Sequence, residues 1–158
     1  MNDRFSQRLL LRFCVLTVAM CTGEIGAGQT LQLFGKWKLN VSQSTLGGPP
    51  PISQTVTFWP AGPDVMTGTE ETIYADGTRT TIAYTAKADG RDYPISGSAE
   101  ILARVDTISM SRVDALTIEW NYKKGGMVVL QLPGSLATDG RTLTMRGAGN
   151  RVLIYEKQ

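Results

Sequence analysis

Histidine is absent from this 158-residue chain, and both of its cysteines, Cys14 and Cys21, lie near its start. Without imidazole or thiolate past residue 21, the later chain has no zinc or copper site and lacks the commonest general base. It also has no disulfide to form and no thiol to lose in an oxidising compartment. Charge of one sign is missing too. Sixteen basic residues stand against fourteen acidic ones; without residues 1–28 the balance is thirteen against twelve, or +1. These charges are interspersed, so no electrostatic footprint for nucleic acid exists. What is present, 42% apolar and 19% charged residues, is the composition of a globular protein. The length suits one domain with a real core.

Residues 1–28 read as a secretory signal. Arg4, Arg8 and Arg12 form a positive start, Phe13 to Met20 an apolar run, and Gly26, Ala27 and Gly28 a small-residue cleavage region. The apolar run is shorter than the roughly 20 residues that a spanning helix needs. A lipoprotein signal is the rival reading, with Cys21 as anchor, although Met20 stands where a small side chain precedes such a cysteine. An uncleaved anchor is the third. The expected product is an exported, periplasmic or extracellular domain spanning residues 29–158.

From there the chain alternates with period two. Trp37, Leu39 and Val41 interleave with Lys36, Lys38 and Asn40, which predicts a half-buried strand. Gly47-Gly48-Pro49-Pro50-Pro51 interrupts it, because prolines cannot donate to a ladder. Strands are predicted over 52–59, 66–74, 78–86, 105–113, 116–122, 127–137, 142–147 and 151–156. The first hairpin turns at Asp76-Gly77, where glycine tolerates the positive φ that tight turns need. Asp92 to Gly97 reads as a loop, and Glu100 to Arg104 as a helical turn. Nothing between strands is long enough for a parallel crossover. An antiparallel meander closing into a barrel of about 8–10 strands follows, since closure removes exposed edges. A two-sheet sandwich fits the same spacing.

Several segments resemble a known grouping. Gly35-Lys-Trp37 on the first strand is similar to the Gly-x-Trp of lipocalins and their calycin relatives. The chain further resembles small exported bacterial lipocalin-like proteins of unassigned function. The resemblance runs through Gly35 to Asn40, the Pro-rich loop, Ser53 to Val56, Ala75-Asp76-Gly77, Asp89 to Pro94 with Gly97, Lys123 to Gly126, Asp139-Gly140-Arg141, and Val152 to Lys157. It implies a barrel whose Trp37 packs across one end beneath an arginine, Arg151 by position and Arg146 next. The family's C-terminal helix has no counterpart after Tyr155.

Candidate site residues are few. Trp120 and Tyr122 share a strand face with Leu116 and Ile118, and Phe58 and Tyr84 supply further aromatic surface. Such a face either fills the barrel or lines a pocket. Glu70 and Glu71 are adjacent, so on a strand they point to opposite faces and cannot act together; both read as solvated charges. Glu119 and Asp106 read the same way. Lys123-Lys124-Gly125-Gly126 reads as a hairpin turn, because no helix follows to make it a phosphate loop. Asn40-Val41-Ser42 matches an N-glycosylation sequon.

Three functions stand against one another. The first is a non-enzymatic, monomeric binding protein for a small apolar or amphipathic ligand, without cofactor or metal, using Trp37, Phe58, Tyr84, Trp120 and Tyr122. The second is an envelope interaction protein with a filled barrel, acting through the Pro-rich and Tyr93-Pro94 loops. The third is an enzyme, which requires two convergent ionisable side chains inside the barrel.

Overall fold

A computed structural model describes residues 30–158. The expected signal over 1–28 and its rival lipid anchor at Cys21 lie outside the described residues. One helical turn (α1, Thr30–Leu33) leads into ten strands: β1 Gly35–Leu39, β2 Ser53–Gly62, β3 Val65–Ile73, β4 Arg79–Lys87, β5 Asp89–Gly97, β6 Thr107–Arg112, β7 Thr117–Lys124, β8 Met127–Leu136, β9 Thr142–Arg146 and β10 Val152–Lys157. A second helical turn, α2 (Ala99–Leu102), joins β5 to β6 where the sequence predicts one.

Each strand pairs antiparallel with its neighbours in sequence, and β1 pairs with β10 to close the ring. The fold is therefore a closed up-and-down barrel, and the sandwich alternative is excluded. The antiparallel order divides the connections between two ends. At one end lie α1, the start of β1 and the β2–β3, β4–β5, β6–β7 and β8–β9 turns. At the other lie the Pro-rich segment, the β3–β4, β7–β8 and β9–β10 turns, and α2. Alternation puts Gln54, Val56 and Phe58 of β2, and Ile82, Tyr84 and Ala86 of β4, inside. Most of the core lines this interior, as period-two patterning requires.

The segment 92–97 is a correction. It is the second half of β5, not a loop. Ile95 N–H donates to the Asp106 carbonyl just before β6, so the neighbouring Pro94 nitrogen faces β4. There the β4–β5 pairing has already ended, at Tyr84 opposite Ile95, and no donor is needed.

Trp37 plugs the α1 end, fully buried, its indole N–H donating to the Leu33 carbonyl at 2.8 Å. The cation over it is neither Arg151 nor Arg146. Lys157 Nζ sits 5.2 Å from the ring, because the β1–β10 register places Lys157 directly opposite Trp37. Arg151 precedes β10 at the opposite end of the barrel.

Candidate functional site

The barrel's midsection is a layer of three aromatic rings. Phe58 and Trp120 stack at a centroid separation of 5.9 Å, and the Trp120 indole donates to the Tyr84 hydroxyl at 3.0 Å. Two glycines make room for them. A Cβ at Gly68 would lie 2.5 Å from Tyr84 Cζ, and one at Gly134 2.5 Å from Trp120 Cζ3. Any larger residue would drive a ring out of the layer.

Beyond this layer, toward the α2 end, lies a cavity of about 470 Å³. Phe58, Tyr84 and Trp120 line it together with Val56, Tyr122 and Tyr155. Ile101, Arg104 and Val105, on and just after α2, bound it on one side, and Val129 and Leu130 at the start of β8 on another. Four of the five predicted ligand residues therefore face one cavity: Phe58, Tyr84, Trp120 and Tyr122. Trp37 does not, since it closes the other end. The inward face of β7 neither fills the barrel nor leaves it empty. Ile118, on the same face, lines a separate hollow of about 730 Å³ at the α1 end. That larger hollow mixes Met66 and Met110 with Lys87, Asp89 and Arg91, and its Arg91–Asp89 pair is already made at 3.9 Å. It holds none of the predicted aromatic candidates and is the weaker ligand site.

Glu70 corrects the sequence reading. It points into the cavity, while Glu71 faces outward and pairs with Arg79 at 3.1 Å. The two do lie on opposite faces, as alternation requires, but one of those faces is the interior. Gln54 Nε2 and Thr72 Oγ1 (3.3 Å) both donate to Oε1, and Oε2 has no hydrogen-bond partner among the described residues. Burial pushes the carboxyl above its ordinary value, against the opposing pull of these hydrogen bonds and of the Arg151 charge. Arg151 also lines the cavity, at its junction with a smaller hollow beneath the Pro-rich segment. Its Nε–H is buried without a partner, and it forms no ion pair among the described residues. Such an unpartnered buried donor is costly and uncommon in a native interior.

Three tyrosines complete the polar side. Burial raises Tyr84, Tyr122 and Tyr155 above the usual phenol range, and the charge of Glu70 adds to the effect on each. At neutral pH they are therefore neutral hydroxyls. The hydroxyls of Tyr122 and Tyr155 meet no hydrogen-bond partner among the described residues. The cavity thus joins an apolar aromatic wall to a set of donors and one carboxyl that can exchange a proton. Glu70 and Arg151 are two ionisable side chains converging inside the barrel, the condition that the enzyme reading set.

Sequence reasoning missed Glu70, Arg151, Gln54 and Tyr155. The parity of β3 carries a signal for the first: Met66 must face inward, and Glu70 shares its parity. The other carboxylates read as solvated charges, Asp106 and Glu119, have partners. Asp106 Oδ2 accepts from Gly125 N–H at 2.9 Å, and Glu119 accepts from Asn121 at 3.0 Å. Gly125 and Gly126 form the predicted hairpin turn, with φ of 56° and 81°. No group of three or more Asp, Glu, Cys or His side chains comes together among the described residues. Compared with known proteins, the chain matches no protein-family model and no curated sequence.

Proposed function

We propose that the chain is an exported binding protein that holds one small apolar or amphipathic molecule inside its barrel, without catalysis. The observation that carries this reading is the cavity of about 470 Å³ beside the Phe58–Trp120–Tyr84 layer. Its size and its lining, mostly apolar with a few convergent polar groups, are those of small-molecule sites. A barrel of ten strands is wide enough to leave such room. The basic and apolar pattern of residues 1–28, and a domain free of cysteine after residue 21, support export.

Native mass spectrometry of the protein purified gently from its own host is the test. A reproducible added mass that denaturation releases is the expected result. A bare mass, together with failure of an environment-sensitive apolar dye to enter the barrel, would sink the reading. A second reading is favoured by one specific feature. Met127, Val128 and Val129 are exposed at the β7–β8 hairpin beside the mouth, as is Ile52 across the rim. Apolar residues so placed suit contact with another protein. Under that reading, Met127→Ser and Val128→Thr abolish capture of a partner while leaving dye uptake intact.

A further inference from the structure

The binding reading leaves the chemistry of the ligand's polar end open, and the arrangement of Glu70 and Arg151 narrows it. Resting on that reading, we propose that the site takes amphipathic carboxylic acids, with the carboxylate held by Arg151 and by the free oxygen of Glu70, the two carboxyl groups sharing one proton.

Position gives the first argument. Glu70, Gln54 and Arg151 lie toward the α2 end of the cavity, and the Phe58, Trp120 and Tyr84 rings form its inner floor. A molecule with an apolar body and one polar terminus fits this only with the body inward and the head near Arg151.

Hydrogen-bond counting gives the second. Arg151 makes no hydrogen bond within the described protein, and its Nε–H is buried without an acceptor. The hydroxyls of Tyr122 and Tyr155 are also unused. Donors outnumber acceptors, so the missing group is an acceptor. Guanidinium favours a carboxylate among acceptors, since its planar fork matches the two oxygens.

Charge gives the third. A cation and a carboxyl line one poorly solvated cavity without forming an ion pair. Adding a carboxylate with no proton would leave one net negative charge inside the barrel, which burial strongly disfavours. One proton held between Glu70 Oε2 and the incoming carboxylate makes the set of three neutral. The partners already on Glu70 allow this, because Gln54 and Thr72 both occupy Oε1. The remaining groups facing the carboxyl are the neutral hydroxyls of Tyr84, Tyr122 and Tyr155. Arg104 adds a further positive charge at the mouth.

The experiment is calorimetric titration of the intact protein with octanoate, 1-octanol and octylamine, matched in body and different in head. It is run over a pH series and in two buffers of different ionisation enthalpy, which counts protons taken up. Octanoate should bind roughly tenfold or more tighter than 1-octanol in mildly acidic solution, as a charge-assisted contact implies. At pH values where both free carboxyls are ionised, it should take up about one proton and weaken by about tenfold per pH unit. Glu70→Gln should flatten that pH slope, and Arg151→Met should collapse the octanoate-to-octanol ratio. Equal binding of octanoate and octanol, binding without proton uptake where both free carboxyls are ionised, or preference for octylamine would each overturn the proposal. The proton count comes from the unaltered protein, so the test survives a variant that fails to fold. Binding of none of the three would instead overturn the underlying binding reading, a result readily told apart from loss of head-group preference.

Discussion

The indole N–H of Trp120 and the hydroxyl of Tyr84 meet at 3.0 Å across the barrel interior, joining β7 to β4, which are not neighbours in the ring. Neither group touches bulk water, so the bond is a strut between opposite walls. Tyr84→Phe leaves the indole donor buried and unpaired, a loss that typically costs ~1–3 kcal/mol. Urea unfolding followed by tryptophan emission should show the midpoint falling with little change in slope.

The glycines behind these rings give a second test. Gly134→Ala and Gly68→Ala each force a Cβ into a ring 2.5 Å away, and overpacking of this kind costs ~1–3 kcal/mol. Gly47→Ala, where nothing lies within 4 Å, should stay within about 0.5 kcal/mol of the parent. Equal melting temperatures for all three variants would refute the account of the aromatic layer.

Stability should depend on pH with two opposite signs. Burial raises Glu70 from its ordinary value of 4.5, so the unfolded chain loses that proton first as pH rises. Its contribution is complete below about 4.5 and declines until pH passes the folded value. Asp76, Asp89 and Asp114 shift the other way, each held below its ordinary 3.8 chiefly by a backbone N–H in its own turn. Their contribution is present above 3.8 and lost as pH falls through their folded values. Melting temperature should therefore peak in mildly acidic solution, and Glu70→Gln should remove the decline toward neutrality. Thermal melts of both proteins over a pH series check this.

The closed end gives a fourth prediction. Trp37→Ala removes a fully buried side chain and its bond to Leu33, at a cost of ~3–5 kcal/mol. Lys157→Met removes the cation 5.2 Å from the ring, worth ~0.5–1 kcal/mol at such a site. Arg151→Met should leave the Trp37 end unaffected, because Arg151 lies at the other end of the barrel. Chemical denaturation of the three variants ranks them.

The strands were legible because one face of nearly every strand is apolar. Phe58 with Val56, and Trp120 with Tyr122, announce their parity without help. The inward face of β3 does not, since it reads Met66, Gly68, Glu70, Thr72, three of them small or polar. Hydrophobic alternation fades there for the reason that makes the site: room for Tyr84 and a carboxyl in the cavity replace apolar bulk. Pro94 misled in a different way. A proline signals a break only where its missing donor faces a partner strand, and which side it faces depends on tertiary pairing. The cation over Trp37 was equally out of reach, because it depends on the β1–β10 register, a contact between residues at opposite ends of the described chain.

That seam governs when the barrel can form. On the edge of β1 that faces away from β2, residues 37–39 find their partners only in residues 155–157, so nothing made before the last strand can close the ring. Until then β1 and β9 each carry a bare edge able to capture another extended segment. Ring closure is thus an all-or-nothing final step with the longest loop this topology allows, which favours slow folding. The interior site inherits the same timing: Tyr155 comes with β10 and Arg151 directly before it, so a chain cut before residue 151 lacks both a complete wall and the guanidinium at its mouth.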